Sequence, residues 1–152
     1  SLLYVFIKWL NNNDVEDDLV NDVRKKILEL NNGNIKKSVF TTKNKELVMH
    51  THCYQKALSD SSKTEYILNF PENYSAKLLD SGCCGMAGSF GYEKEHYEVS
   101  MQIGKDALFP AIKQFSKDAL IAANGTSCRH QIFDGTHRKA LHPIEILYDA
   151  LL

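Results

Sequence analysis

Glu46-Leu47-Val48-Met49-His50-Thr51 is a short apolar run that leads straight into His52-Cys53. A continuous run of this length predicts a strand buried on both faces, as in a parallel sheet. The chain downstream repeats the pattern. Tyr54–Phe70 reads as a helix and residues 75–80 (SAKLLD) as a second strand. Tyr92–Phe115 carries a long helical pattern, with Pro110 as a break or kink in its far half. Asp118–Ala123 reads as a third strand, and a short helix begins over Cys128–Phe133. Pro143 suits the first turn of a last helix over 143–151. Strand and helix alternate from residue 46 onward. That order predicts an α/β fold, with a small parallel sheet of three to four strands, right-handed crossovers and flanking helices.

Upstream, residues 3–10 read as an apolar helix that ends at Asn11-Asn12-Asn13. A second helix is expected over 15–31. Its apolar positions Val15, Leu19, Val20, Val23, Ile27, Leu28 and Leu30 follow a 3.6 period, and Asn32-Gly33-Asn34 stops it. Residues 35–45 are polar and basic and read as a loop. The expected organisation is an N-terminal helical segment, 1–45, packed on a domain formed by 46–152.

A chain of 152 residues is one domain by default and can bury a core without disulfide staples. Hydrophobic residues at 43% and charged residues at 24% match an ordinary soluble globular protein. A net charge of −1 lacks the basic excess of a nucleic-acid binder. It also lacks the charge imbalance of a disordered chain. The longest apolar run, Leu2 to Ile7, is far below the roughly 20 residues that span a bilayer. It has neither the basic flank nor the cleavage site of a signal peptide. No nucleic acid and no transmembrane segment are therefore expected. The chain starts at Ser1 without a Met, and is expected to be a piece of something longer.

The four cysteines are Cys53, Cys83, Cys84 and Cys128. Two are adjacent, and neighbours rarely meet two bridge geometries at once. With no targeting segment, a reducing, cytoplasmic setting is expected, where clustered cysteines bind metal or do chemistry. Each cysteine position follows one of the three predicted strands. Ligand sites in open parallel sheets form beyond the carboxyl ends of the strands, so three separate regions deliver thiols to one rim. Four thiolates suit zinc or an iron–sulfur cluster. An adjacent pair would strain a tetrahedral single-metal site, which favours a cluster. The other reading keeps only some as ligands, with Cys83 or Cys84 turned inward as a small core residue.

His50 and His52 flank the first cysteine on the same side of an extended segment. Each is a candidate ligand, donor to a thiolate or substrate contact, or else a strand-end histidine bonded to backbone. His130 is the next candidate. His96, His137 and His142 lie farther from the rim, and His142 reads as structural. The loop Gly82–Gly91, with Gly85 and Gly88, can turn backbone N–H groups toward an anionic centre. It matches neither a dinucleotide-binding nor a P-loop pattern. In Gly125-Thr126-Ser127-Cys128-Arg129, Ser127 is expected to cap the short helix. The helix end is expected to lower the pKa of Cys128, and Arg129 could face an anionic ligand. No Ser-His-Asp arrangement is visible. The acidic residues Glu93, Glu95 and Glu98 suit a helix start. No catalytic residue is assigned.

HTHCYQKAL (50–58), LDSGCCGMAGSFGYEKEHYEVSMQIG (79–104) and NGTSCRHQIFDGTHRKALHPIEIL (124–147) resemble the cysteine-rich CCG domain. The resemblance is to the C-terminal part of large FAD-linked oxidases, of the D-lactate and D-2-hydroxyglutarate dehydrogenase type, fused to iron–sulfur modules. Related domains occur in heterodisulfide reductase, in the iron–sulfur component of glycolate oxidase and in anaerobic glycerol-3-phosphate dehydrogenase. The resemblance implies a redox or electron-transfer role. It places ligand roles on Cys53, Cys83, Cys84 and Cys128, for a 4Fe–4S cluster in some members and zinc in others. It implies FAD elsewhere in a parent protein acting on a 2-hydroxy acid such as D-lactate. FAD-binding and ferredoxin-like domains would be the partners of this piece, which is not expected to be active alone. The setting would be cytoplasmic, or at the inner face of the membrane through the parent complex. Two positions depart from the pattern. Gln131 stands where the heterodisulfide reductase pattern has a last Cys, which the FAD-linked oxidase branch usually lacks, and Tyr54 stands where a second His is usual. Neither a flavin motif nor a C-x-x-C-x-x-C run is present, so hydride chemistry would belong to another domain. The alternatives are a zinc-binding structural or substrate-positioning module, and a metal-free thiol site.

Overall fold

Leu47, Val48 and Met49 are completely buried, and they sit in the middle of the sheet. The computed structural model describes residues 37, 40–58 and 61–152. The two helices expected over 3–10 and 15–31 lie outside the described residues, as does nearly all of the segment 1–45. Strand β1 (Lys45–His50) is flanked by β2 (Tyr74–Leu78) and β3 (Leu120–Ala123), with β4 (Ala140–Leu141) beyond β3. The order is β2-β1-β3-β4, and every pairing is parallel. Neighbours on both sides take the backbone groups of β1, and helices cover both faces. Only apolar side chains suit such a strand, and each contributes about 1.5 to 3 kcal/mol on burial. β2 is an edge strand and alternates buried Tyr74 and Ala76 with exposed Ser75 and Lys77.

The single helix expected over 54–70 is two: α1 (Cys53–Leu58) and α2 (Ser62–Leu68). The second restarts at Ser61-Ser62, where hydroxyl side chains compete with helical hydrogen bonds. Asn69 then covers the open edge of β2. Its side chain donates to the Ala76 carbonyl at 3.0 Å and accepts from the Ala76 N–H at 2.8 Å. Glu65 accepts from the Leu78 N–H at 3.2 Å. Side chains thereby satisfy edge groups that would otherwise pair with another chain.

The long helix starts at Tyr97 rather than Tyr92, after a 3₁₀ turn over Phe90–Tyr92. It runs as α3 (Tyr97–Ile103), a π-helical turn (Gly104–Leu108) and α4 (Phe109–Lys113). The Phe109 N–H reaches back to the Gly104 carbonyl, which widens the helix just ahead of Pro110. The widened turn lets the Phe109 ring lie against bare backbone, since a Cβ on Gly104 or Gly135 would run into it. Helix α5 (Thr126–Thr136) ends at His137 in a left-handed conformation, φ 56°. Helix α6 (Pro143–Asp149) opens with a capping box. Its Ile144 N–H donates to His142 Nδ1 at 3.2 Å, and Glu145 accepts from the His142 N–H at 2.6 Å. His142 is structural, as expected.

Arg138 ties the end of α4 to the start of β3 through the carbonyls of Ile112, Ser116 and Ala119, at 3.1, 2.9 and 2.6 Å. Residues Phe40–Leu152 form one compact unit, in which Phe40 bridges to Leu151. No helix among the described residues is long and apolar enough to cross a membrane. The chain leaves β1 toward β2 on one side and later returns to its other side as β3. Strand order therefore reverses at β1, which puts the topological switch point, where such sheets place their ligand sites, at the carboxyl ends of β1 and β3.

Candidate metal centre

His50 is the last residue of β1 and lies in register with Ala123, the last residue of β3, at the switch point. Its ring is buried, 1% exposed, and its Nδ1 lies 3.0 Å from the Ser81 hydroxyl. Ser81 opens the glycine loop and also accepts Lys56 Nζ at its carbonyl, 2.6 Å. The other ring nitrogen, Nε2, is buried with no hydrogen-bond partner. Thr51 Oγ1 and Asn124 Oδ1, one residue past the ends of β1 and β3, are in the same condition.

Two thiols face His50. Cys84 comes from the glycine loop after β2, and Cys128 from the first turn of α5 after β3. Their sulfur atoms lie 3.3 Å apart. Ligand atoms of His50, Cys84 and Cys128 all lie within 4.8 Å of one another, and all three residues are buried. Gly125 lets this happen. A Cβ there would stand 3.0 Å from both the Cys128 sulfur and the His52 ring. His52 thus flanks the Cys128 side of the site.

Cys53 and Cys83 form a second, outer pair with sulfur atoms 4.0 Å apart. Cys53 is exposed and Cys83 half-buried. The Gly85 N–H donates to the Cys83 sulfur at 3.3 Å. All four cysteines are free thiols. They divide into a buried pair beside an imidazole and an outer pair toward solvent.

The electrostatics follow this division. The Cys128 hydrogen bond pulls the Cys84 thiol down to about 4, against the opposing effect of burial, with help from His50 and the Met86 N–H. The same hydrogen bond pushes Cys128 up, as do burial and the negative charge of Cys84, Cys53 and Cys83. Burial first, then the neighbouring sulfurs, raise Cys83, and the Gly85 N–H opposes them. The expectation that the helix end lowers Cys128 is therefore corrected. The pair shares one proton through this bond, with the shifts directed toward thiolate at Cys84. The charges of the other three cysteines act on Cys128, so gathering anionic sulfur here is unfavourable until a cation joins it. Soft thiolates with an unpartnered imidazole nitrogen are the donor set of zinc or iron. The residues present fit such a group.

The remaining expected residues lie around this centre. Ser127 does not cap α5. The cap position is Gly125, and no side chain bonds there, because the helix begins earlier than the sequence suggested. Arg129 turns its guanidinium onto the carbonyls of Ala123 and Asn124, at 2.9 and 3.0 Å, and onto the Thr126 hydroxyl at 3.2 Å. That fastens the end of β3. His130 is exposed and bonded to the Tyr92 hydroxyl through Nδ1, at 2.7 Å. Gly88 holds a left-handed turn, φ 73°, with open space around it. Gly85 is also left-handed, φ 98°, and a Cβ would strike the Ser100 carbonyl. Ser81, Ser100 and the Met86 N–H escaped the sequence reading. The first could have been suspected from its place beside the Cys pair, but nothing local marks the other two.

Curated relatives match the chain. It is 34% identical over 106 residues to a component of anaerobic glycerol-3-phosphate dehydrogenase from Escherichia coli K12, covering 70% of this chain and 26% of that one. It is 33% identical over 98 residues to D-2-hydroxyglutarate dehydrogenase of Pseudomonas putida, covering 63% and 9%. The corresponding E. coli K12 enzyme is 28% identical over 102 residues, covering 66% and 10%. The chain is homologous to part of these dehydrogenases. It spans about a quarter of the length of the glycerol-3-phosphate dehydrogenase component and about a tenth of the hydroxyglutarate enzymes. The likeness is to part of these dehydrogenases, and this chain gathers His50, Cys84 and Cys128 as a group that could hold a metal ion. No family model matches, and no solved structure matches significantly.

Proposed function

We propose that this chain is the electron-transfer module of an FAD-linked dehydrogenase, and that its thiols hold a 4Fe–4S cluster. The observation that carries this reading is the convergence of His50, Cys84 and Cys128 within 4.8 Å, beside the Cys53–Cys83 pair. Bound there, a cluster supplies one-electron transfer, with a potential tuned by burial and by hydrogen bonds to sulfur. The chain's own part is to hold the thiolates, keep water from Cys84 and Cys128, and aim the N–H groups of Gly85 and Met86 at Cys83 and Cys84. Ser81 holds His50 by Nδ1, which leaves Nε2 toward the thiols.

The relatives are named for glycerol 3-phosphate and D-2-hydroxyglutarate, both small anionic hydroxy compounds. The parent enzyme's substrate is accordingly taken to be a 2-hydroxy acid such as D-lactate. FAD-binding and ferredoxin-like domains of a cytoplasmic parent are the partners. Anaerobic reconstitution with iron and sulfide tests the proposal. A brown chain with about four iron atoms is expected, and a colourless, iron-free product after reconstitution sinks it. A second reading rests on the compactness of the inner set. His50, Cys84 and Cys128 are two sulfurs and one imidazole, the ligand composition of an open zinc site. One zinc per chain, with no redox response, selects that reading.

A further inference from the structure

Gln131 is a buried amide, 1% exposed, in a face otherwise made of core residues. It sits three positions after Cys128 on α5, so the two side chains share one face of the helix. Its Nε2 donates to the Ser100 carbonyl at 2.9 Å and lies 3.0 Å from the Ser100 hydroxyl. Ser100 belongs to α3, is fully buried and donates its own hydroxyl to Met86 Sδ at 3.7 Å. The glycine loop closes onto this pair. A Cβ on Gly85 would strike the Ser100 carbonyl and stand 3.1 Å from Gln131 Nε2. A Cβ on Gly91 would strike the Ser100 hydroxyl.

The part of the loop that rests on Ser100 and Gln131 carries the donors to the thiols. The Gly85 N–H goes to Cys83 at 3.3 Å, and the Met86 N–H goes to Cys84. A buried polar pair in an apolar cluster is costly unless its bonds are made. Apolar side chains could fill the same space. What they could not do is fix the distance between the loop and α5 by directed bonds.

We propose that Gln131 is a positioning residue for the thiolate centre. Acting through Ser100, it holds Gly85–Met86 against the helix that carries Cys128. It thereby sets the spacing of Cys84 and Cys128 and the aim of the N–H donors onto Cys83 and Cys84. The proposal rests on the metal-centre reading above.

Cobalt(II) titration of the reduced, anaerobic 152-residue chain tests it. The wild-type chain is expected to develop sulfur-to-cobalt charge-transfer and d–d bands. Gln131→Leu and Ser100→Ala are expected to keep the far-UV spectrum of the fold. Their cobalt affinity should fall about 10- to 100-fold, the range of outer-sphere losses, with shifted d–d bands. Ile132→Val, the next buried residue on α5, should lower Tm and leave the cobalt bands unchanged. If Gln131→Leu binds cobalt as the wild type does, or loses no more affinity than Ile132→Val, the proposal is overturned. If Gln131→Leu does not fold, Ser100→Ala decides by the same criteria. A wild-type chain that takes no cobalt overturns the metal-centre reading and this proposal together.

Discussion

The sulfur atoms of Cys84 and Cys128 lie 3.3 Å apart although 44 positions separate them in the chain. One rides on a loop after an edge strand, the other on a helix after the strand on the far side of β1. Their meeting is a consequence of strand order, because β2 and β3 flank β1 in parallel and the segments that leave both start at the same carboxyl edge. The inner pair and His50 therefore form the part of the site that the fold itself enforces, and the Cys53–Cys83 pair is its outer extension.

That division predicts unequal losses. Cys84→Ser and Cys128→Ser should abolish metal retention, with a fall in affinity beyond the roughly 10- to 100-fold typical of outer partners. Cys53→Ser, at the exposed edge, should retain part of the metal. Metal per chain after anaerobic gel filtration measures this. Equal retention by the Cys53 and Cys84 variants would contradict the division into inner and outer pairs.

The metal-free, reduced chain should carry thiolate at neutral pH. Cys84 is pulled from its ordinary value near 9 down to about 4, chiefly by the Cys128 hydrogen bond. Thiolate absorbance in the near ultraviolet should therefore persist through neutral pH and disappear only on acidification toward 4. The folded state binds fewer protons at Cys84 than the unfolded chain does between these values. The contribution of this group to stability is then present above the unfolded value and lost as pH falls toward 4. Cys84→Ser should remove the absorbance. A wild-type chain whose thiolate signal rises only near pH 9, the ordinary thiol value, would refute the assignment.

Two glycines of one loop should respond differently to alanine. Both are left-handed, and that conformation alone costs a non-glycine residue about 1 to 3 kcal/mol. At Gly88 nothing else stands in the way. At Gly85 the new Cβ meets the Ser100 carbonyl, so Gly85→Ala should be clearly more destabilising and should weaken metal binding as well. Urea denaturation of the two variants checks the order. Equal midpoints would mean that the loop moves off Ser100 freely.

Much of this was legible because it follows from period and topology. The apolar run at Leu47-Val48-Met49 marks a strand covered on both faces, and three cysteine positions after three strands mark one rim. The pairing of the sulfurs was not legible. Cys83 and Cys84 are neighbours, and only the path of the loop over Ser100 sends one outward and the other inward. The two residues of β4 are too few to show a period. The break between α1 and α2 did have a local mark, the hydroxyl residues Ser61 and Ser62, but the single-helix reading of 54–70 runs through it. Ser127 and Arg129 look like site residues by position, but the helix starts at Thr126 and the guanidinium finds the carbonyls at the end of β3 first. Ser100 and Gln131 meet from two different helices, and such a contact leaves no trace in local sequence.

His142 gives a second pH dependence, away from the thiols. Its ring caps α6 by accepting the Ile144 N–H at Nδ1, which requires a lone pair there and hence the neutral form. Burial first, and then the charge of Arg129, lower its pKa from 6.5, with Glu145 opposing. Below 6.5 the unfolded chain takes up a proton that the folded chain resists. Stability from this group is therefore present above about 6.5 and lost as pH falls through the lower folded value. His142→Asn keeps a capping acceptor without the titration, since asparagine is among the favoured cap residues. The variant should match the wild-type Tm within a few degrees at about pH 8 and lose less of it between about pH 7 and 5, the window around the ordinary histidine value. The Cys84 contribution runs in the same direction over this range, so the comparison is best made in the Cys84→Ser background. There, wild-type and asparagine chains that fall in parallel on acidification would remove the role assigned to the cap.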